Sequence, residues 1–160
     1  MEASATCNSS LTGFFVGCYD GGLYLLSAAD GNIQYCIQTQ DVIKTTAAVD
    51  GVLQLVLFAS YDRHLYVGAE SDGTVLDRLD VQGTVFGALC LREDARVVYA
   101  STTNGVLWAV SYDEQGKLSL LWRFDMHCPC FTGPSIDISD SEQGTVWLGT
   151  VDGCVWLIGF

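Results

Sequence analysis

Apolar residues along this chain come in short alternating runs, and acidic, amide or glycine turn residues punctuate them. Phe15-Val16 and Leu23-Tyr24-Leu25 flank Asp20-Gly21, and the residues on either side are aromatic, aliphatic or β-branched, which suits a pleated, packed surface. No stretch of about 11 residues or more keeps a 3.6-residue period, so helix is expected to be nearly absent. The elements predicted are short strands joined by tight turns.

The runs repeat. Val16-Gly-Cys-Tyr-Asp-Gly-Gly-Leu-Tyr24, Phe58-Ala-Ser-Tyr-Asp-Arg-His-Leu-Tyr66, Tyr99-Ala-Ser-Thr-Thr-Asn-Gly-Val-Leu-Trp108 and Leu148-Gly-Thr-Val-Asp-Gly-Cys-Val-Trp156 align on Asp20, Asp62, Asn104 and Asp152, at spacings of 42, 42 and 48 residues. An aromatic follows each marker four positions on: Tyr24, Tyr66, Trp108 and Trp156. A second turn marker recurs at Asp30-Gly31, Asp72-Gly73 and, with a slip, Gln115-Gly116. A small-residue strand introduces the later units, at Lys44–Val49, Thr84–Leu91 and Cys130–Ile138.

Asp-Gly and Asn-Gly between apolar runs predict hairpins closed by type I′ turns, with positive φ at both central residues. Asp62-Arg63 lacks the glycine. Four strands per unit of 42 to 48 residues predict an all-β fold of four-stranded antiparallel β-propeller blades. Residues 1–160 read as one partial propeller, with blades over about 3–43, 44–83, 84–129 and 130–160. That is about 3.75 blades, an incomplete, open ring, because the fourth unit ends at Ile158-Gly159-Phe160 before its last strand. Closure is then expected to come from a longer parent chain, a second copy or a partner, since an open arc leaves apolar faces and a sheet edge uncovered.

Composition narrows the function classes. Apolar residues are 49% and charged residues 16%, which excludes a disordered chain. The longest apolar run, Leu55 to Ser60, is of strand length, so no membrane span is expected. Nineteen acidic against seven basic residues give a net charge of −12, so nucleic acid and anionic membranes are repelled. No basic residue precedes the first apolar stretch, so a secretory signal is not expected. Seven cysteines, an odd number, then read as reduced and mostly buried thiols in a cytoplasmic protein.

The pattern V-G-x-x-D-G-x-L-Y-x-L-x-x-x-D-G resembles the PQQ-like, quinoprotein-type propeller repeat rather than WD40, since no Gly-His or Trp-Asp pair occurs. The docking tryptophan of such repeats is matched by Trp122; Tyr35 takes its place in the first unit and Asp77 in the second. Val16–Gly21, Gln40–Val49, Tyr61-Asp62-x-His64 and Gly83–Phe86 also resemble the C-terminal repeat region of the β-alanine-activating enzymes, an acyl-CoA synthetase family. That similarity runs from about Ser4 to Phe160 and is most specific through Leu91. In the family, an adenylation domain and a phosphopantetheine carrier do the chemistry. This chain has neither the phosphate loop followed by lysine nor a carrier serine motif, so the resemblance implies the accessory propeller and not the ligase activity.

Candidate chemistry is sparse. A quinoprotein oxidoreductase binding PQQ is the competing class, but its adjacent cysteines are replaced by Cys128-Pro129-Cys130. His127, Cys128 and Cys130 offer three soft ligands to zinc, without a fourth ligand or a second Cys-x-x-Cys, and proline here also marks a turn. His64 and His127 are the only histidines, and neither lies in a sequence pattern that pairs it with a nucleophilic thiol. No cofactor, metal or catalytic residue is expected.

Asp20, Asp62, Asn104 and Asp152 recur on one equivalent loop, so a propeller gathers them on one rim, where they are candidates for binding a cation or a basic peptide. Aspartate also favours turns by bonding its own backbone, and the four aromatics suit blade-to-blade packing. The expected role is a non-catalytic protein-binding or scaffold module. Its partners would be domains of a longer parent chain or a separate protein, with self-association through open blade edges. A truncated product without function is a third reading.

Overall fold

The computed structural model describes residues 3–140 and 143–160; Met1, Glu2, Ser141 and Glu142, at the first blade's start and within the fourth, lie outside the described residues. Four antiparallel sheets follow one another along the chain, and no helix occurs among the described residues. The first blade holds β1 (Thr6–Cys7), β2 (Gly13–Gly17), β3 (Gly22–Ser27) and β4 (Ile33–Gln38). The second holds β5 (Ala48–Asp50), β6 (Leu55–Ala59), β7 (His64–Ala69) and β8 (Val75–Asp80), and the third β9 (Cys90–Arg92), β10 (Val97–Ser101), β11 (Val106–Tyr112) and β12 (Leu118–Asp125). The last has three strands, β13 (Ser135–Asp140), β14 (Gln143–Gly149) and β15 (Val155–Gly159). In each sheet the strands lie in chain order, a meander. The fold is all-β, an open arc of propeller blades.

Each of the first three blades turns one face toward its successor, here termed the leading face, and each later blade offers a trailing face in return. Phe15, Leu23 and Leu25 of the first blade pack on Val56, Phe58 and Tyr66 of the second. Leu57, Leu65 and Val67 pack on Val98, Ala100 and Trp108 of the third. Tyr99, Leu107 and Ala109 pack on Val146, Leu148 and Trp156 of the fourth. Period-2 alternation places the two sets on opposite faces of the same strands, so a middle blade is apolar on both. The runs Leu55–Ala59 and Val97–Ser101 are accordingly buried at every position.

One position on the outermost strand ties each blade to the next by a different chemistry. Tyr35, Asp77 and Trp122 stand opposite Leu25, Val67 and Ala109, at equivalent registers. The Tyr35 hydroxyl donates to the Glu70 carbonyl at 2.6 Å. Asp77 accepts from the Leu118 amide at 2.9 Å and pairs with the Lys117 ammonium at 3.2 Å. Trp122 joins the apolar cluster that the third blade shares with Val146 and Leu148 of the fourth, its ring 6.0 Å from that of Tyr99 in its own blade. Burial resists the charge on Asp77, but the Leu118 amide and Lys117 outweigh it and hold the carboxyl below its ordinary value. A further tie joins the second and third blades: the buried Asp50 carboxylate accepts from the Tyr112 hydroxyl at 2.8 Å and from the Val52 and Leu53 amides.

The marker hairpins correct one sequence expectation. Cys18, Ser60, Thr102 and Thr150 each donate their amide to the carbonyl four residues on, at 2.9 to 3.1 Å. The loop has three residues, and only the third is left-handed: Gly21 at φ 83°, Arg63 at 72°, Gly105 at 87° and Gly153 at 84°. A type I turn followed by one left-handed residue replaces the type I′ turn, which would need two. Arg63 therefore fits where glycine is absent, at a steric cost of about 1–2 kcal/mol. The thiols are a second correction. All seven cysteines are free, but only Cys130 is buried; Cys7, Cys36 and Cys154 are exposed. Cys7 and Cys36 sit opposite Phe14 and Tyr24 on the one face of the first blade that no blade covers.

Three outcomes follow from this packing. Arg63→Gly relieves the left-handed strain and is expected to raise the unfolding free energy by about 0.5–1 kcal/mol in urea melts. Tyr112→Phe leaves an Asp50 oxygen buried without its donor and is expected to cost about 1–3 kcal/mol in the same assay. For Asp77 the lowered carboxyl value means stabilisation above its ordinary value of 3.8, lost as pH falls through the depressed one. The difference in melting temperature between wild type and Asp77→Asn should therefore be full at neutral pH and close as pH drops below 3.8.

Candidate functional site

The loops 18–22, 60–64, 102–106 and 150–154 lie at equivalent ends of the four blades and form one rim. Their marker side chains bond close to home. Asp20 accepts from the Gly22 amide at 3.0 Å and from the Tyr24 hydroxyl at 2.7 Å. Asp62, almost fully buried, accepts from the His64 amide, from the Tyr66 hydroxyl at 2.6 Å and from the Gln40 amide at 3.2 Å. Asp152 accepts from the Cys154 amide at 3.1 Å and from the Thr150 hydroxyl at 2.6 Å. Asn104 instead donates to the Gln82 carbonyl at 3.3 Å.

In the first two blades the marker aspartate bonds the tyrosine four residues on. The tyrosine hydroxyl reaches back over the turn to the aspartate, and in the second blade its ring packs on the first. The Tyr24 hydroxyl and Gly22 amide hold the Asp20 carboxyl below its usual range, and the same Asp20 bond pushes the Tyr24 phenol up. On Asp152 the Thr150 hydroxyl and the Cys154 amide act in the same direction. In the fourth blade the Trp156 indole donates to Thr150 Oγ1 at 3.3 Å. In the third, where Asn104 is turned to Gln82, the buried Trp108 indole N–H has no hydrogen-bond partner among the described residues.

Linker segments dock under the same loops. Tyr61, Thr103 and Val151, each just before a marker, donate their amides to Val42, Thr84 and Pro129 carbonyls at 2.8 to 3.1 Å. This brings the segment after each linker up beside the rim, and with it a group that residue spacing alone does not reveal. The Lys44 ammonium lies 5.0 Å from the ring centre of Tyr19, 5.2 Å from Tyr61 and 5.6 Å from Phe86. Phe86 in turn meets Phe131 edge-on at 6.0 Å. Tyr19, Phe131 and Val151 remain 47%, 48% and 59% exposed, so an aromatic and apolar stripe runs along the rim from the first blade to the fourth. Asp20 and Asp152, next in sequence to Tyr19 and Val151, border it. The one clue in sequence was an aromatic before the marker at Tyr19 and Tyr61, which only two units share.

His127, Cys128 and Cys130 are not brought together as ligands. His127 is left-handed at φ 54°, its side chain is 85% exposed, and Nδ1 lies 3.3 Å from Asp125. The Cys130 thiol is fully buried and donates to the Gly149 carbonyl at 3.2 Å. Among the described residues no group of three or more His, Cys, Asp or Glu is placed to hold a metal. His64 rests its Nδ1 2.9 Å from the Asp62 carbonyl, in the turn itself.

No family model matches this chain, and no curated protein matches it. Solved structures do. A chain from the crystal structure of the mitotic checkpoint complex superposes at TM-score 0.80 and 12% identity, covering 97% of this chain and 48% of that one. BamB from Moraxella catarrhalis superposes at TM-score 0.77 and 14% identity, over 98% of this chain and 45% of its own. The computationally designed Ika4 protein does so at TM-score 0.74 and 18% identity, over 99% of this chain and 92% of its own. The chain thus spans about half the length of the first two and nearly all of the designed one. What it shares with them is the β-propeller fold.

Proposed function

We propose that the chain is a non-catalytic, PQQ-like propeller segment that binds protein through the rim around Lys44. The observation that carries this reading is the exposed stripe of Tyr19, Phe131 and Val151 beside acidic residues, on a rim whose loops are pinned by their own side chains. A rigid scaffold presenting aromatic side chains at low entropic cost is the usual basis of a binding surface. The partner is a segment of basic character with an apolar anchor, which the net charge of −12 attracts and orients. Asp20, Asp62, Asn104 and Asp152 serve this surface by fixing the loops, and Asp20 and Asp152 also add negative charge at its border. The first structural likeness, to a member of a multiprotein complex, is in keeping with such a role.

The setting we infer is a β-alanine-activating, acyl-CoA synthetase-like enzyme, on the resemblance of Val16–Gly21, Gln40–Val49 and Gly83–Phe86 to that family's repeat region. The propeller then docks another domain of that enzyme or a separate protein, in the reducing cytoplasm that seven free thiols suit. Titration of a fluorescent lysine- and leucine-rich peptide against the protein tests the surface. Binding is expected, weakening as salt rises. Tyr19→Ala with Phe131→Ala should reduce it at least tenfold, and Leu120→Ala on an outermost strand should not change it. Binding indifferent to the paired rim variant, or no binding at low salt, would overturn the proposal.

A further inference from the structure

The two end blades expose faces whose equivalents are sealed everywhere else in the molecule. On the leading face, Phe15, Leu23 and Leu25 of the first blade, Leu57, Leu65 and Val67 of the second, and Tyr99, Leu107 and Ala109 of the third are all 0–2% exposed. Their equivalents in the fourth blade are Trp147, Val155 and Leu157, at 41%, 64% and 56%. The trailing face of the first blade carries Phe14, 38% exposed, with the half-buried Tyr24 and Leu26 around the more deeply set Val16, and none of the four joins an apolar cluster shared between described blades. An apolar patch of this kind is a contact surface.

The chain itself shows what fits each face. Three times over, a leading face is covered by a trailing face of the same repeat. The trailing face of the first blade is already set in the geometry that works inside: Tyr24 is held by Asp20 at 2.7 Å, as Tyr66 is held by Asp62 at 2.6 Å in a sealed interface. The arc also has the right span, because it superposes on about half of each of two larger propeller chains. A half ring with one leading and one trailing end is closed by one more half ring.

We propose that two copies of this chain pair head to tail, the Trp147–Val155–Leu157 face of each on the Phe14–Val16–Tyr24 face of the other, and close a ring of eight blades. Eight lies within the four to eight blades that propellers adopt. A two-fold axis makes both contacts at once and leaves no apolar end free, so assembly stops at two. The chain's likeness to a designed protein over 92% of that protein's length shows that a four-blade chain can exist as a folded molecule. This inference rests on the end faces and is independent of the rim.

Sedimentation equilibrium of the 160-residue chain under reducing conditions tests it. The expected species has twice the 17.3 kDa chain mass, and it gains affinity with added salt, since salt screens repulsion between two copies of charge −12. Leu157→Asp and Phe14→Asp each spoil one face, so each alone should be monomeric, with unchanged circular dichroism because both residues are exposed. Mixed together they retain one intact pair of faces, and a heterodimer should appear that neither variant forms alone. A wild-type monomer at all concentrations, a ladder of larger masses, or a dimer indifferent to both substitutions would overturn the pairing. So would a monomer that instead takes up blades supplied by another chain.

Discussion

Everything in this molecule depends on apolar faces covering one another in a fixed sense, leading on trailing. A single four-stranded sheet of this size has no interior of its own. Its core is the space it shares with its neighbour, and a middle blade needs two such spaces. Full burial of an aliphatic or aromatic side chain contributes roughly 1.5–3 kcal/mol, and each interface buries several of them. The buried runs Leu55–Ala59 and Val97–Ser101 are therefore stable only as members of the stack. Ordered repetition of this kind makes stability a sum over neighbours, so the end blades are the weak points.

That constraint also shapes the rim. The marker aspartates hold the hairpins by taking up the amide two residues on, and in two blades they also hold a tyrosine, which in the second blade packs on the first. Turn and core are fastened by the same carboxylate. The residues between and beside the markers stay partly exposed: Tyr19, whose ring centre lies 5.0 Å from the Lys44 ammonium, with Phe131 and Val151. On the proposed reading, binding draws on side chains the repeat does not need, on loops pinned by their own hydrogen bonds.

The repeat and the strands of each blade were legible because they rest on local chemistry, turn residues and alternation, which reads directly from Asp20, Asp62, Asn104 and Asp152. The type of turn was not, since Arg63 shows that the loop needs only one left-handed residue and tolerates a side chain there. Nor was the role of Asp77. In sequence it looks like a lost docking tryptophan; in space it reaches the Leu118 amide and Lys117 of the next blade, about 40 residues away, and docks by charge instead. The Lys44 nest was hidden for a similar reason. Tyr19, Tyr61, Phe86 and Phe131 come from successive blades, and their spacing carries no common period.

Hydrogen exchange at two protein concentrations tests the account most directly, because it reads how well each face is covered. The strands of the middle blades, 55–69 and 97–112, should exchange slowly and equally at both concentrations. Residues 13–27 and 144–159, on the end blades, should be protected at high concentration and lose that protection on dilution. End blades as protected as the middle ones at every concentration, or middle blades that open first, would contradict the claim that face-to-face covering holds this fold together.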